Sequence, residues 1–188
     1  MGEGVETVGG YAFFNCFNLN AVHITDLAVW CNIDFINPLT DGYVHFAANP
    51  LCYAASLYLN GELVTDLVIP DGVTEVRIIS FVTCSSLTNV TIPDSVTTIG
   101  DCVFYNCRSI TSVTIPDSVT TIGHGAFCHC SSLTSVYCKA TTPPAGGIWM
   151  FDGHASGRKI YVPTASVAAY KSANGWRDYA DAIEGYNF

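Results

Sequence analysis

Charge is scarce in this chain, and basic charge is scarcer still. Only 12% of the 188 residues are charged, and all seven lysines and arginines fall after position 76. Residues 1–76 hold nine of the sixteen acidic residues and no base, so this part carries the whole net charge of -9. Nucleic acids and anionic membranes are held by clustered Lys and Arg that displace counterions, and no such cluster exists here. No nucleic-acid partner is therefore expected. Long apolar runs are also missing: none approaches the roughly 18 residues that a membrane span needs. The first residues have neither the basic start nor the apolar stretch of a secretory leader. No membrane span is expected, and the chain reads as soluble.

Signatures of catalysis are missing too. The sequence has no G-x-S-x-G, H-E-x-x-H, phosphate loop or G-x-G-x-x-G, the arrangements that pair a nucleophile with its base or cradle a phosphate. Asp94 and Asp117 recur after Pro93 and Pro116, where turn formation explains them better than acid-base work. Cys128, His129 and Cys130, with His124 nearby, form the one cluster of soft metal donors. C-x-C without a second paired half matches no zinc module, so these read as adventitious surface residues. No catalytic, cofactor-binding or metal-binding residue is assigned.

What the sequence has in abundance is itself. Leu87 to Ser109 and Ile110 to Ser132 are identical at 15 of 23 positions, and the frame runs back through Val64 to Ser86 with nine matches. A fixed period of this length marks a solenoid, whose units bury their apolar faces only against one another. Within each unit Val90-Thr91-Ile92 alternates apolar and polar like a half-buried strand, and Pro93 ends it for want of an N–H. Leu67-Val68-Ile69, Val113-Thr114-Ile115 and Val136-Tyr137 repeat the pattern. The strands should stack into one parallel sheet, with Val68, Thr91, Thr114 and Tyr137 in a row on its outer face and His23 continuing it. That row is the candidate ligand face. Val96, Ile99, Phe104 and Cys107 continue inward round the turn. Gly100 and Gly123 share a slot that Arg77 fills one unit earlier, so glycine reads as preferred there and not required.

Four spans follow: residues 1–19, a partial repeat; 20–66, a variant unit; 67–138, three 23-residue repeats; 139–188, a C-terminal cap. The partial repeat lacks its own strand. The edge of Val22-His23-Ile24 is then open to self-association, and the natural polypeptide is expected to continue upstream. Ile24 and Ile69 stand 45 residues apart where a regular unit gives 23. In that interval Thr25 or Asp26 can cap a short helix with Leu27, Trp30 and Cys31 on one face. Asn60-Gly61 predicts a hairpin standing off the solenoid. In the cap, Lys159 to Pro163 should be a strand, followed by a helix to about Ala173 and a second helix with Trp176, Tyr179 and Ile183 on one face.

Cys16, Cys84, Cys107 and Cys130 share one repeat position. They predict a buried ladder of parallel thiols about one strand spacing (~4.8 Å) apart, too far for a disulfide's converging Cβ atoms at about 3.8 Å. Trp149 sits with Met150 and Phe151 in a glycine-rich loop. It is expected to pack under the cap; exposed, it would join the ligand face as a platform for a sugar ring or a protein partner.

The unit L-x-x-V-x-I-P-x-x-V-x-x-I-G-x-x-A/V-F-x-x-C-x-S resembles the 23-residue BspA-like leucine-rich repeat of bacterial surface proteins, well over 64–138 and partly over 5–24. D-L-A-V-W-C-N-I-D-F from Asp26, L-Y-L-N-G-E-L-V-T-D-L-V-I-P from Leu57 and the ending K-I-Y-V-P from Lys159 look like segments of such proteins in gut bacteria. The resemblance implies a curved, mainly β solenoid with short convex helical turns. It further implies a secreted or cell-surface location and a non-catalytic adhesion role, binding protein or glycan on the concave face. A structural spacer within a larger surface protein is the alternative, and a metal- or thiol-dependent enzyme is a remoter one.

Overall fold

A computed structural model describes residues 4–36, 46–153 and 155–188. Each regular unit has three sides. The first is a short strand of a six-stranded parallel sheet, built from Asp66–Val68, Asn89–Thr91, Ser112–Ile115, Ser135–Cys138, Lys159–Pro163 and Ile183–Tyr186. The second is a two-residue strand of a four-stranded parallel sheet: Glu75–Val76, Thr98–Ile99, Thr121–Ile122 and Ala145–Gly146. The third is a turn, and it is not helical. In that turn alternate amides point along the solenoid: Phe81, Phe104 and Phe127 donate to Val103, Ala126 and Met150 of the following unit at 2.8 to 3.0 Å. Two left-handed residues per turn produce this alternation, as at Cys102 and Asn106 or Gly125 and His129. A helix would have spent those amides within the unit; here they join units.

The interior is a set of ladders. Leu67, Val90, Val113, Val136 and Ile160 are buried under the first sheet. Phe81, Phe104, Phe127 and Phe151 stack at 5.2 to 5.6 Å between ring centres, offset pairs that add to burial. Cys84, Cys107 and Cys130 are buried beside them, and the thiols of Cys107 and Cys130 donate to the carbonyls of Phe81 and Phe104. The expected fourth member, Cys16, is exposed. Its turn is covered on one side by the variant unit, through Phe13 N–H to Ala47, and no described unit covers the other.

The recurring hydroxyls serve the stack as well. Thr97 and Thr120 donate to Thr74 and Thr97, and Ser95 and Ser118 to Val73 and Val96. The glycine slot also corrects the reading of it as optional. Its φ is not left-handed, but a Cβ at Gly123 would lie 2.5 Å from the Asp101 amide nitrogen, and one at Gly100 2.8 Å from that of Ile78. Neighbouring units touch there through bare backbone. Arg77 is accepted because it follows the edge strand of the four-stranded sheet, which among the described residues no unit of that sheet precedes.

In the variant unit the Asp26 carboxylate caps the helix Leu27–Cys31 by accepting from the Val29 amide, with Leu27, Trp30 and Cys31 buried. The Asn60-Gly61 turn closes with both φ values positive, as its residue types favour. The hairpin does not stand off. Its first strand, Leu57–Leu59, pairs in parallel with Val22–Ile24, and Leu57 is fully buried. Val22–Ile24 is an edge of this separate three-stranded sheet. Asn49 is buried, and its amide donates to the carbonyls of Ile79 and Ser80. Trp30 Nε1 donates to the same Ser80 carbonyl, so the variant unit is sewn to the first regular turn.

The cap places the helix Val167–Ser172 where expected, and Trp176 and Tyr179 are buried. Ile183 does not continue a helical face. The Arg177–Ala182 segment is a 3-10 turn, and Ile183 opens the last strand of the main sheet, in register with Ile160.

Candidate functional site

Parallel pairing sets Val68 beside Thr91, Thr91 beside Thr114, Thr114 beside Tyr137, Tyr137 beside Tyr161 and Tyr161 beside Glu184. The four expected members of the row are thus one continuous line on the outer face of the six-stranded sheet. Val68 is 59% exposed although apolar, and Thr91 and Thr114 are exposed. Among the described residues these two hydroxyls make no bond to a neighbouring unit, unlike those of Thr97 and Thr120. Two residues earlier on the same strands runs a second line, Asp66, Asn89, Ser112, Ser135 and Lys159. The Asn89 amide donates to Asp66, and the Lys159 ammonium is paired with Glu184. The face is therefore a strip of hydroxyl and amide groups whose charges are largely matched.

At the cap end the strip becomes aromatic. Tyr137 stacks on Tyr161 at 4.9 Å, Tyr186 meets both edge-on or tilted at 5.5 and 5.6 Å, and Phe188 adds to Tyr186 at 5.0 Å. Of these four rings only Tyr137 stands in the row expected from the repeat; Tyr161, Tyr186 and Phe188 lie beyond it. The spacing held the signal: Tyr137, Tyr161 and Glu184 follow at 24 and 23 residues, so the row continues through the cap.

His23 is not in this line. It stacks at 4.7 Å on Tyr58 in the three-stranded sheet, which ends in the hairpin and is not hydrogen-bonded to the main sheet. Trp149 is elsewhere again. It is 64% exposed and does not pack under the cap, as had been expected; Met150 and Phe151 turn inward in its place. Its side chain walls a hollow of about 540 Å³ on the turn side, together with Tyr105, His124, Cys128, His129 and Asp152.

The cysteine and histidine cluster is split by the alternation of the turn. Cys130 points into the core, and Cys128 lies buried under the hollow, not on the surface as read from the sequence. Burial, followed by the Asp152 charge, pushes the Cys128 thiol up, and burial, with Asp101 behind it, pushes Cys102 up to about 12. A thiol held protonated is a poor nucleophile and a poor ligand. His124 Nδ1 already accepts from the Ile148 amide, and the His129 ring meets Tyr105 edge-on at 5.3 Å. Among the described residues no three His, Cys, Asp or Glu side chains gather as a metal site would require.

A family model described as BspA type leucine rich repeat region matches residues 1–32 and 55–165 in six copies. A leucine-rich repeat protein of Bacteroides ovatus aligns over 98% of this chain and 43% of its own, with 19% identity and a TM-score of 0.51. One of Eubacterium ventriosum aligns over 58% of this chain and 29% of its own, with 28% identity and a TM-score of 0.47. The T. pallidum leucine-rich repeat protein aligns over 96% and 78%, with 23% identity and a TM-score of 0.45. The chain thus spans less than half the length of the first two. No curated protein matches it. With the repeat model covering most of its length, and the sheets and ladders built at the same period, the chain belongs to the BspA-type leucine-rich repeat family.

Proposed function

We propose that the chain is a non-catalytic interaction module of a bacterial surface or secreted protein, binding a protein or glycan along the outer face of its six-stranded sheet. The observation that carries this reading is the continuous line Val68, Thr91, Thr114, Tyr137, Tyr161, exposed at its first three members and half-buried at the two tyrosines. Much of the repetition elsewhere is spent on stacking, through buried apolar ladders and hydroxyls such as those of Thr97 and Ser118 bonded to the preceding unit. The line is left facing solvent, and its aromatic end offers flat rings with phenolic hydroxyls, suited to a sugar ring or a protein hot spot. His23 on Tyr58 forms a separate contact point near the other end, and Trp149 another on the turn side.

A glycan and host-protein array probed with the wild type and with the double variant Thr91→Arg/Thr114→Arg tests the reading. Loss of the wild-type signals in the variant is expected. Signals unchanged in the variant would remove the sheet face as the site, and an array with no signal would favour a spacer that presents neighbouring domains.

A further inference from the structure

Two glycines stand two residues apart in the same unit and do different things. Gly123 is demanded by backbone contact, and Gly125 is not. Gly125 has φ +58°, but Ile79, Cys102 and Trp149 hold the corresponding place in their own turns at φ 53°, 52° and 57°. The left-handed position accepts side chains three times over. Space does not forbid one either: a Cβ at Gly125 would meet Cys102 Sγ at 3.4 Å, Cys128 Cβ at 3.6 Å and Tyr105 Cδ2 at 4.0 Å, which is ordinary contact. What the missing side chain does is open the floor of the hollow of about 540 Å³ between Tyr105 and Trp149. That volume lies within the range of small-ligand pockets, about 300–1,000 Å³.

The walls state what would fit. Trp149, 64% exposed, offers an aromatic face, and Tyr105 lines the same hollow. Asp152 is part of the lining; its Oδ1 accepts from the Tyr179 hydroxyl at 2.9 Å, which fixes the carboxylate while leaving it acceptor capacity. Among the described residues no lysine or arginine lines the hollow. The nearby Arg158 is 3% exposed and is not part of the lining; it donates to the Phe151 carbonyl, lies over the Phe151 and Tyr179 rings, and feels the Asp152 charge from the buried side. The Asp152 charge is felt in the hollow, since it strengthens the hold of the Cys128 thiol on its proton. A flat cation that stacks on tryptophan and forks onto a carboxylate satisfies both walls, and a guanidinium does both where an ammonium does one.

We propose that the hollow over Gly125 is a second binding site that takes a guanidinium group, stacked on Trp149 and hydrogen-bonded to Asp152. It lies on the turn side of the coil, and it does not rest on the reading of the sheet face. The group comes either from a free arginine-like molecule or from an arginine side chain of a partner.

Tryptophan emission reads the site directly, because Trp30 and Trp176 are buried and Trp149 alone is exposed. The probes are N-acetyl-arginine amide, the tripeptide Gly-Arg-Gly and N-acetyl-citrulline amide, in which a neutral urea replaces the guanidinium. A saturable change is expected with either arginine probe, and the tighter of the two names the source. The citrulline probe should bind at least about tenfold more weakly, as should both arginine probes to Asp152→Asn, because the charge-assisted fork is lost. Gly125→Leu should fill the floor and abolish the change. No saturable change in the wild type would overturn the proposal, as would citrulline binding equal to arginine. Undiminished binding to Asp152→Asn with an unchanged circular dichroism spectrum would do the same, whether or not Gly125→Leu folds.

Discussion

The regular stack and the variant unit before it solve the same problem by different means. From Val64 to Cys138 each unit meets the next through identical ladders, and contact is so close at Gly100 and Gly123 that a Cβ has no room. The variant unit meets the stack through single, unrepeated groups: the Asn49 amide and the Trp30 indole on the carbonyls of Ile79 and Ser80, and the Thr83 hydroxyl on that of Leu51. Periodic contact needs small residues and one register. Aperiodic contact needs particular polar side chains, because each buried backbone group at the seam has to find its own partner.

The contrast can be broken most forcefully in the phenylalanine stack. Phe104 is buried between Phe81 and Phe127, and Phe104→Ala should cost about 3–5 kcal/mol. Phe17, 74% exposed in the first turn, should cost within about 0.5 kcal/mol on the same change. Urea unfolding of the two variants checks the pair, and similar losses would deny the difference between stack and end. Next comes the glycine slot. Gly123→Ala forces neighbouring units apart and should cost about 1–3 kcal/mol as overpacking does, whereas Arg77→Ala, in the same slot at the edge, should stay within about 0.5 kcal/mol. At the seam, Asn49→Ala leaves the Ile79 carbonyl without its side-chain donor and should cost about 1–3 kcal/mol. Faster hydrogen exchange in the variant unit, with the stack unchanged, would accompany it.

The gentlest test uses the thiols. Burial raises Cys31, Cys102 and Cys130 from 9.0 to about 12. A group whose folded value is raised binds its proton more tightly when folded, so its contribution is whole below the unfolded value. It is lost as pH climbs through the window from about 9 towards about 12. Stability should therefore be level in these terms up to about pH 8.5, the usual thiol value, and decline above it, and a thiol-labelling assay at neutral pH should modify the exposed Cys16 first.

The regular units were legible because a period reports every contact that recurs, so strands, row and core were readable from residues such as Val90, Thr91 and Phe104. The errors fall where recurrence ends or conceals a cause. Cys16 fits the frame but lacks a described neighbour on one side, and a frame does not say how many neighbours a residue has. The convex turns are not the short helices expected of the solenoid, and nothing in the residues around Phe104 reveals that alternate amides leave the unit. Asn49 and Trp30 gave no signal as seam residues, since one polar side chain bonding across a unit has no pattern. Trp149 was placed inside by its apolar neighbours, which took the interior themselves.

The most direct measurement compares one substitution on two sides of a single unit. Thr114 and Thr121 are both exposed threonines, the first on the six-stranded sheet and the second on the four-stranded one. Titration of an array-selected ligand should lose its affinity with Thr114→Arg and keep it with Thr121→Arg. Equal losses, or a loss with Thr121→Arg alone, would contradict the assignment of the binding face.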